Sequence, residues 1–231
     1  MSQKTLTGVL LVLGLVLAGA WPARAQQTFN VTVGYVTPLA EWDRVPGDVL
    51  VANRSFLLFE VDDFSGPSIG GEWLVPLGHF FEAGAGVSYS RRTVHSVYAA
   101  FVDSDGTEVE QDLQLQLVPA AFTLRVLPFG QSSPVQPYVG AGFALINWRY
   151  SETGEFIDFG AHREIFSDSF VASGTEPGAV VLGGLRVAGD RASAGGEVRY
   201  QKAEANLNSD FAGRKLDLGG WTYNFTVGVR F

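Results

Sequence analysis

The chain has no cysteine. No disulfide staples it, and no thiol can do chemistry in it. An acylated lipoprotein is excluded too, because no Cys follows the N-terminal apolar stretch. Basic residues are few: 16 Lys and Arg stand against 24 Asp and Glu, a formal charge of −8. That balance argues against a nucleic-acid partner. It would also repel anionic lipid headgroups unless cations bridge them. Long apolar runs are missing after residue 18, so no helix is expected to cross a membrane. Yet 46% of the residues are hydrophobic and 28 are Gly, a combination that suits the tight wall of a barrel.

Residues 1–25 read as an export signal. Lys4 supplies the positive start, Val9 to Ala18 the short apolar core, and Ala23-Arg24-Ala25 the small-x-small cleavage box. The core is too short for a transmembrane helix. The mature chain is expected to start at Gln26 and to form one domain over 26–231. Loss of Lys4 and Arg24 leaves it 14 basic against 24 acidic residues.

The last eleven residues alternate without a fault. Trp221, Tyr223, Phe225, Val227, Val229 and Phe231 fall on one face, and Thr222, Asn224, Thr226, Gly228 and Arg230 on the other. Period two is a strand with one apolar face. Rings at the ends with valine between suit a strand crossing a bilayer. Seven more segments follow the same rule. Their apolar faces are Phe29–Tyr35, Ile69–Val75, Phe81–Tyr89, Leu113–Val126, Val139–Leu145, Ala179–Val187 and Ala194–Tyr200. Eight strands of roughly ten residues predict an all-β, antiparallel, up-and-down transmembrane β-barrel. Short connectors follow strands two, four and six. Long ones follow one, five and seven, and a modest one follows three.

Two places break the pattern. In strand four the apolar phase passes from Leu113, Leu115 and Leu117 to Phe122, Leu124 and Val126, and a bulge at Val118-Pro119-Ala120-Ala121 would explain it. Trp148 and Tyr150 leave the phase of strand five, and residues 151–177 read as a loop. Large apolar residues there (Phe156, Ile157, Phe159, Ile165, Phe166, Phe170) and in the first long segment (Val49 to Val51, Phe56 to Phe59) are too many for a disordered loop. Either the strands rise above the membrane or these segments pack into a small outer core.

If the apolar faces meet lipid, the other faces fill the lumen. That places Glu72, Glu82, Glu197, Arg125, Arg186, Arg199 and Arg230 inside. An eight-stranded interior is just wide enough for side chains, and charges there must pair. An aromatic belt is expected from Tyr35, Trp73, Phe81, Tyr89, Tyr200, Trp221 and Tyr223.

Signal, eight strands, lumen charges and Phe231 together resemble the small bacterial outer-membrane β-barrel superfamily of OmpA-like, OmpX-like and OmpW-like proteins. The resemblance covers the whole mature chain. It implies a cell outer-membrane location, contact with outer-membrane lipid and lipopolysaccharide, and insertion by the barrel-assembly machinery through a last strand whose Phe231 is the sorting signal. The peptidoglycan-binding domain that OmpA-like proteins add is not expected after Phe231. A monomer with a structural or surface-interaction role is the expected function. A passive, porin-like channel for small hydrophobic solutes is the alternative.

Candidate chemistry is thin. His79, His95 and His162 lie in a turn, near a strand end and in a loop. His95-Ser96, with Glu108 or Glu110 as orienting acid, invites comparison with the PagL-like lipid A deacylases, but Val97-Tyr98-Ala99 departs from their His-x-Ser-Asn pattern. Asp103, Asp105 and Glu108 around Gly106 have the look of a calcium turn, yet Asp-Gly is a favoured hairpin pair by itself. The expectation is no enzyme, no cofactor and no tight metal site.

Overall fold

The computed structural model describes residues 26–102, 106–158 and 164–231. Among the described residues ten strands form: β1 (Thr28–Pro38), β2 (Gly66–Pro76), β3 (Phe81–Val102), β4 (Glu108–Val126), β5 (Val135–Ile157), β6 (Ile165–Ala188), β7 (Ala192–Lys202), β8 (Glu204–Asn206), β9 (Lys215–Asp217) and β10 (Gly220–Arg230). Eight of them close a ring in the order β1-β10-β7-β6-β5-β4-β3-β2, each antiparallel to its neighbours. The seam joins the first strand to the last, from Thr28↔Arg230 to Pro38↔Gly220. Closure leaves no open sheet edge at that level, the condition for crossing lipid with strands.

Strand length divides the barrel. β1, β2, β7 and β10 have 11 residues each, while β3, β4, β5 and β6 have 22, 19, 23 and 24. At roughly 3.3 Å per residue, 11 residues suffice for a tilted crossing and twice that rises well above it. Four strands therefore continue upward as a raised sheet. The segment 151–177, expected as a loop, is mostly the upper half of β5 and β6, paired as far as Ile157↔Ile165. β3 and β4 pair as the other long hairpin as far as Val102↔Glu108, and residues 103–105 of the connector expected to be modest lie outside the described residues. Below, the turns are short, as expected.

The bulge expected in β4 is absent. β4 holds one register against β5 from Gln111↔Gly154 to Val126↔Val139, with Pro119 opposite Ile146. Its register against β3 is the same at Phe81↔Val126 and at Val97↔Glu110. The odd-numbered side chains face inward along the whole strand. The strand does not change; its surroundings do. In the lower half the outside is lipid, so Phe122, Leu124 and Val126 point out. In the upper half the outside is water, so Leu113, Leu115 and Leu117 point in, where an apolar core awaits them. The same inversion turns Trp148 and Tyr150 inward on β5, while Val139, Phe143 and Leu145 lower on the strand point out.

That core is a cap over the barrel mouth. Helix α1 (Val49–Asn53), with Asp48 as its N-cap, and the β8–β9 hairpin fold onto the inner face of the raised sheet. Val49, Leu50, Leu57, Leu113, Ile146, Tyr150 and Leu216 are almost fully buried together. Burying each such side chain is worth about 1.5–3 kcal/mol, which orders the long segments. The free side of β3 is covered by the chain itself. Leu57 bridges Tyr98, Leu58 N–H donates to the Val97 carbonyl, and Ala99 N–H donates to the Phe56 carbonyl.

Candidate functional site

Alternation places every second residue of the lower strands in the lumen, and six of the seven predicted charges meet there. Arg125, 1% exposed, donates to Glu72 at 2.5 Å and to Glu197 at 2.9 Å. Arg199 reaches the same two carboxylates, Glu197 at 2.8 Å and Glu72 at 3.2 Å. Arg186 pairs with Glu82 at 2.9 Å, and Arg125 lies 3.9 Å from it. Three arginines thus neutralise three glutamates in a buried cluster, the arrangement a low-dielectric interior requires.

Two members were not anticipated. Tyr138 donates to Glu197 at 3.2 Å and lies under the Arg125 guanidinium, 4.8 Å from ring centre to carbon. Gln136 accepts from Arg186 at 2.9 Å. Both stand two and four residues before Gly140 on its inward face, so alternation carried to the foot of β5 would have found them. Small residues make the room. A side chain at Gly184 would meet the Tyr138 hydroxyl at 2.5 Å, and one at Gly84 would meet Glu72 at 3.2 Å.

Arg230 is the exception. Its guanidinium donates to the Gly189 carbonyl at 2.6 Å, at the lower rim, and is paired with none of the three glutamates. Arg230 precedes Phe231 at the foot of β10, where the 189–191 turn offers a carbonyl instead.

A second buried polar system locks the cap. Arg44 and Asp48 form a bidentate pair at 2.8 and 2.9 Å, and Arg44 also donates to the Asp217 carbonyl. Asp48 accepts from the Leu50 and Asp217 amides, and Asp217 accepts from Val45 N–H at 3.0 Å. The first long segment is thereby tied to β9. At the other end of α1, Asn53 donates to Glu152 at 2.6 Å, and Tyr150 donates to the same oxygen at 2.9 Å. Burial pushes the Glu152 carboxyl above the usual range, against those two hydrogen bonds. Burial beside Glu152 also raises the Tyr150 phenol. Apart from Tyr150, whose break of phase marks it, these residues have no sequence signal of their own; they become visible only once the segments are known to fold inward.

The remaining predictions separate. The predicted belt residues Tyr35, Trp73, Phe81, Tyr89, Trp221 and Tyr223 are exposed on the outer face, and Tyr200 packs against Trp221 at 4.9 Å. Phe231 is exposed, and its backbone exchanges hydrogen bonds with Gln27 at 2.8 and 3.0 Å. His95 and Ser96 point to opposite faces. The histidine is outside, 3.1 Å from Asp112 and 3.9 Å from Glu110, while Ser96 is 2% exposed and donates to the Leu58 carbonyl. No nucleophile–base pair forms there. Glu108 opens β4 at the surface, whereas Asp103, Asp105, Phe159, His162 and the signal segment 1–25 lie outside the described residues. Among the described residues no three His, Cys, Asp or Glu side chains gather to hold a metal ion.

Phe56 stacks on Tyr98 at 5.6 Å, and Phe156 packs on Phe166 and Phe170 at 5.8 and 4.8 Å. The two apolar segments therefore join one cap mainly through the strands between them. Below it, the cavity lined by Phe64, Leu115, Leu117 and Leu218 has a volume of about 30 Å³. Another about 30 Å³ lies against Glu72 and Arg199. Each has room for a water and not for a solute.

The ring defines a transmembrane β-barrel of eight strands, with a buried ion-pair cluster on its inner face and its own first long segment and β8–β9 hairpin folded over the mouth. No family model matches the chain, and no curated protein matches its sequence. Among solved structures the chain is similar to Neisserial surface protein A, at 14% identity and a TM-score of 0.46, over 89% of this chain and 97% of that one. It is similar to Ail, the attachment invasion locus protein of Yersinia pestis, at 10% identity and a TM-score of 0.45, over 90% and 100%. It is also similar to outer membrane protein W of E. coli, at 14% identity and a TM-score of 0.45, over 90% and 98%.

Proposed function

We propose that this protein is a monomeric, non-enzymatic barrel of the bacterial outer membrane, closed to solutes, whose role is surface interaction through its raised sheet. The signal segment directs its export, and the last strand hands it to the insertion machinery. One observation carries the surface role. β5 pairs with β6 up to Ile165, but β7 leaves β6 at Ala179↔Lys202. Among the described residues, Ile165 to Gly178 has a partner strand on one side only. The opposite edge, on β3, is covered by the chain's own Phe56–Leu58. Its lower end, at Gly178, lies against Ala203 and β8; the edge above that is a template for strand addition, and an extended segment of a partner protein fits it.

The test is selection of extended peptides on the purified barrel, followed by hydrogen exchange. Protection should appear in 165–178 on binding. Lysines at the edge oppose strand addition, so Val171→Lys with Ser173→Lys should abolish that binding while the barrel still folds. Unchanged binding by the variant, or protection confined to other segments, would contradict the proposal. The small volumes under the cap, about 30 Å³ beside Leu115 and Leu218 and about 30 Å³ beside Glu72 and Arg199, favour this reading over a solute channel.

A further inference from the structure

On the outer face of the raised sheet, register lines up three polar side chains. Arg91 on β3 is opposite Gln116 on β4, and Gln116 is opposite Arg149 on β5. The two arginines are separated by two strand spacings, roughly 10 Å. Both are exposed, with Gln116 half-buried between them. The other arginines of β3 to β6 are engaged: Arg92 donates to the Asp63 carbonyl, and Arg125 and Arg186 are in the lumen cluster. Among the described residues, neither Arg91 nor Arg149 is paired with a carboxylate.

Their height is informative. Tyr89, two residues below Arg91 on the same face, and Leu145, four residues below Arg149, are exposed members of the apolar band. The arginines therefore sit about 7 to 13 Å along the strand above the hydrocarbon, in the headgroup layer. Acidic residues on this face begin higher. Asp112 is four residues beyond Gln116, past the Thr93↔Gln114 row, and is engaged by His95. A chain with a formal charge of −8 thus presents two unpaired guanidinium groups where a bilayer carries its phosphates.

We propose that Arg91 and Arg149, with the Gln116 amide between them, form a binding site for the phosphate groups of an outer-leaflet glycolipid of the lipid A type. Guanidinium presents a planar fork that takes phosphate oxygens two at a time. Two such forks on a rigid sheet are pre-organised for a headgroup with phosphates at both ends. No bridging cation is needed at this face. The assignment rests on the membrane-barrel reading above and adds the ligand and its residues.

The test uses the full-length mature barrel in phosphatidylcholine nanodiscs. Diphosphorylated lipid A, its dephosphorylated form, phosphatidylglycerol and inorganic phosphate are titrated separately, with bound lipid counted by native mass spectrometry. The wild type should bind diphosphorylated lipid A best. The double variant Arg91→Gln, Arg149→Gln should lose roughly 10-fold per arginine, as expected for charge-assisted hydrogen bonds, and should match the wild type with dephosphorylated lipid. Equal binding by wild type and double variant would overturn the proposal. So would equal binding of phosphatidylglycerol, or displacement by millimolar inorganic phosphate, either of which would make this a general anion surface. A wild type that does not enter nanodiscs would instead overturn the membrane-barrel reading. Heat-modifiable migration of the double variant, whose changes are on an exposed face, controls for folding.

Discussion

Asn53, at the end of α1, donates to the Glu152 carboxylate across 2.6 Å in a site where Glu152 is only 5% exposed. This one contact joins the first long segment to β5. It also makes the cap sensitive to pH. Burial raises the carboxyl when the cap is closed, while in the open cap it titrates in the ordinary carboxylate range. The closed state therefore holds its proton longer. Its stabilisation is complete below the open-state value and is lost as pH rises through the raised one. Protease resistance of residues 39–65 should fall as pH rises across that window, and Glu152→Gln should abolish the dependence. A pH-independent wild type would contradict this.

The Arg44–Asp48 pair should be the strongest single tie in the cap. Replacing Asp48 by Ala leaves a buried guanidinium uncompensated and removes acceptors for Leu50 and Asp217 amides. Breaking a buried pair from one side costs about 3–5 kcal/mol. The loss should be local, because the barrel ladder closes without the cap. Limited proteolysis should then cut 39–65 and 203–219 rapidly, while the barrel keeps its heat-modifiable migration. Loss of the barrel itself would show that cap and wall fold as one unit.

In the lumen, Arg125→Met strands Glu72 and Glu197, although Arg199 still touches both. The expected cost is again about 3–5 kcal/mol, read as a lower urea midpoint in detergent micelles. Arg230→Met, which removes one carbonyl contact at the rim, should cost far less. Equal effects would place Arg230 in the cluster after all.

The inversion along β4 gives a paired test. Leu113→Asn places an unsatisfied amide in the cap core and should loosen the cap by about 2–5 kcal/mol without affecting insertion. Phe122→Asn, nine residues on and facing out, should leave the cap alone and impair membrane insertion. Hydrogen exchange of the cap and the yield of inserted protein distinguish the two. The same inversion explains what the sequence disclosed. Ring, strand count and the Glu72–Arg125–Glu197 cluster were legible because alternation and the charge rule act locally. The upper strands were not, because an apolar residue marks a face only relative to its surroundings, and those change from lipid to water near Val118. Leu113 and Phe122 carry the same local signal and face opposite ways. The Arg44–Asp48–Asp217 clasp was illegible for another reason: it joins residues far apart in sequence through segments without periodicity.

The proposal that the lumen is closed is tested most directly by conductance. Purified barrel inserted in a planar bilayer at neutral pH should show no steady current, because ion pairs fill the lower lumen and the apolar cap covers the upper one. A stable ohmic channel, in bilayers where insertion has been verified, would contradict the account.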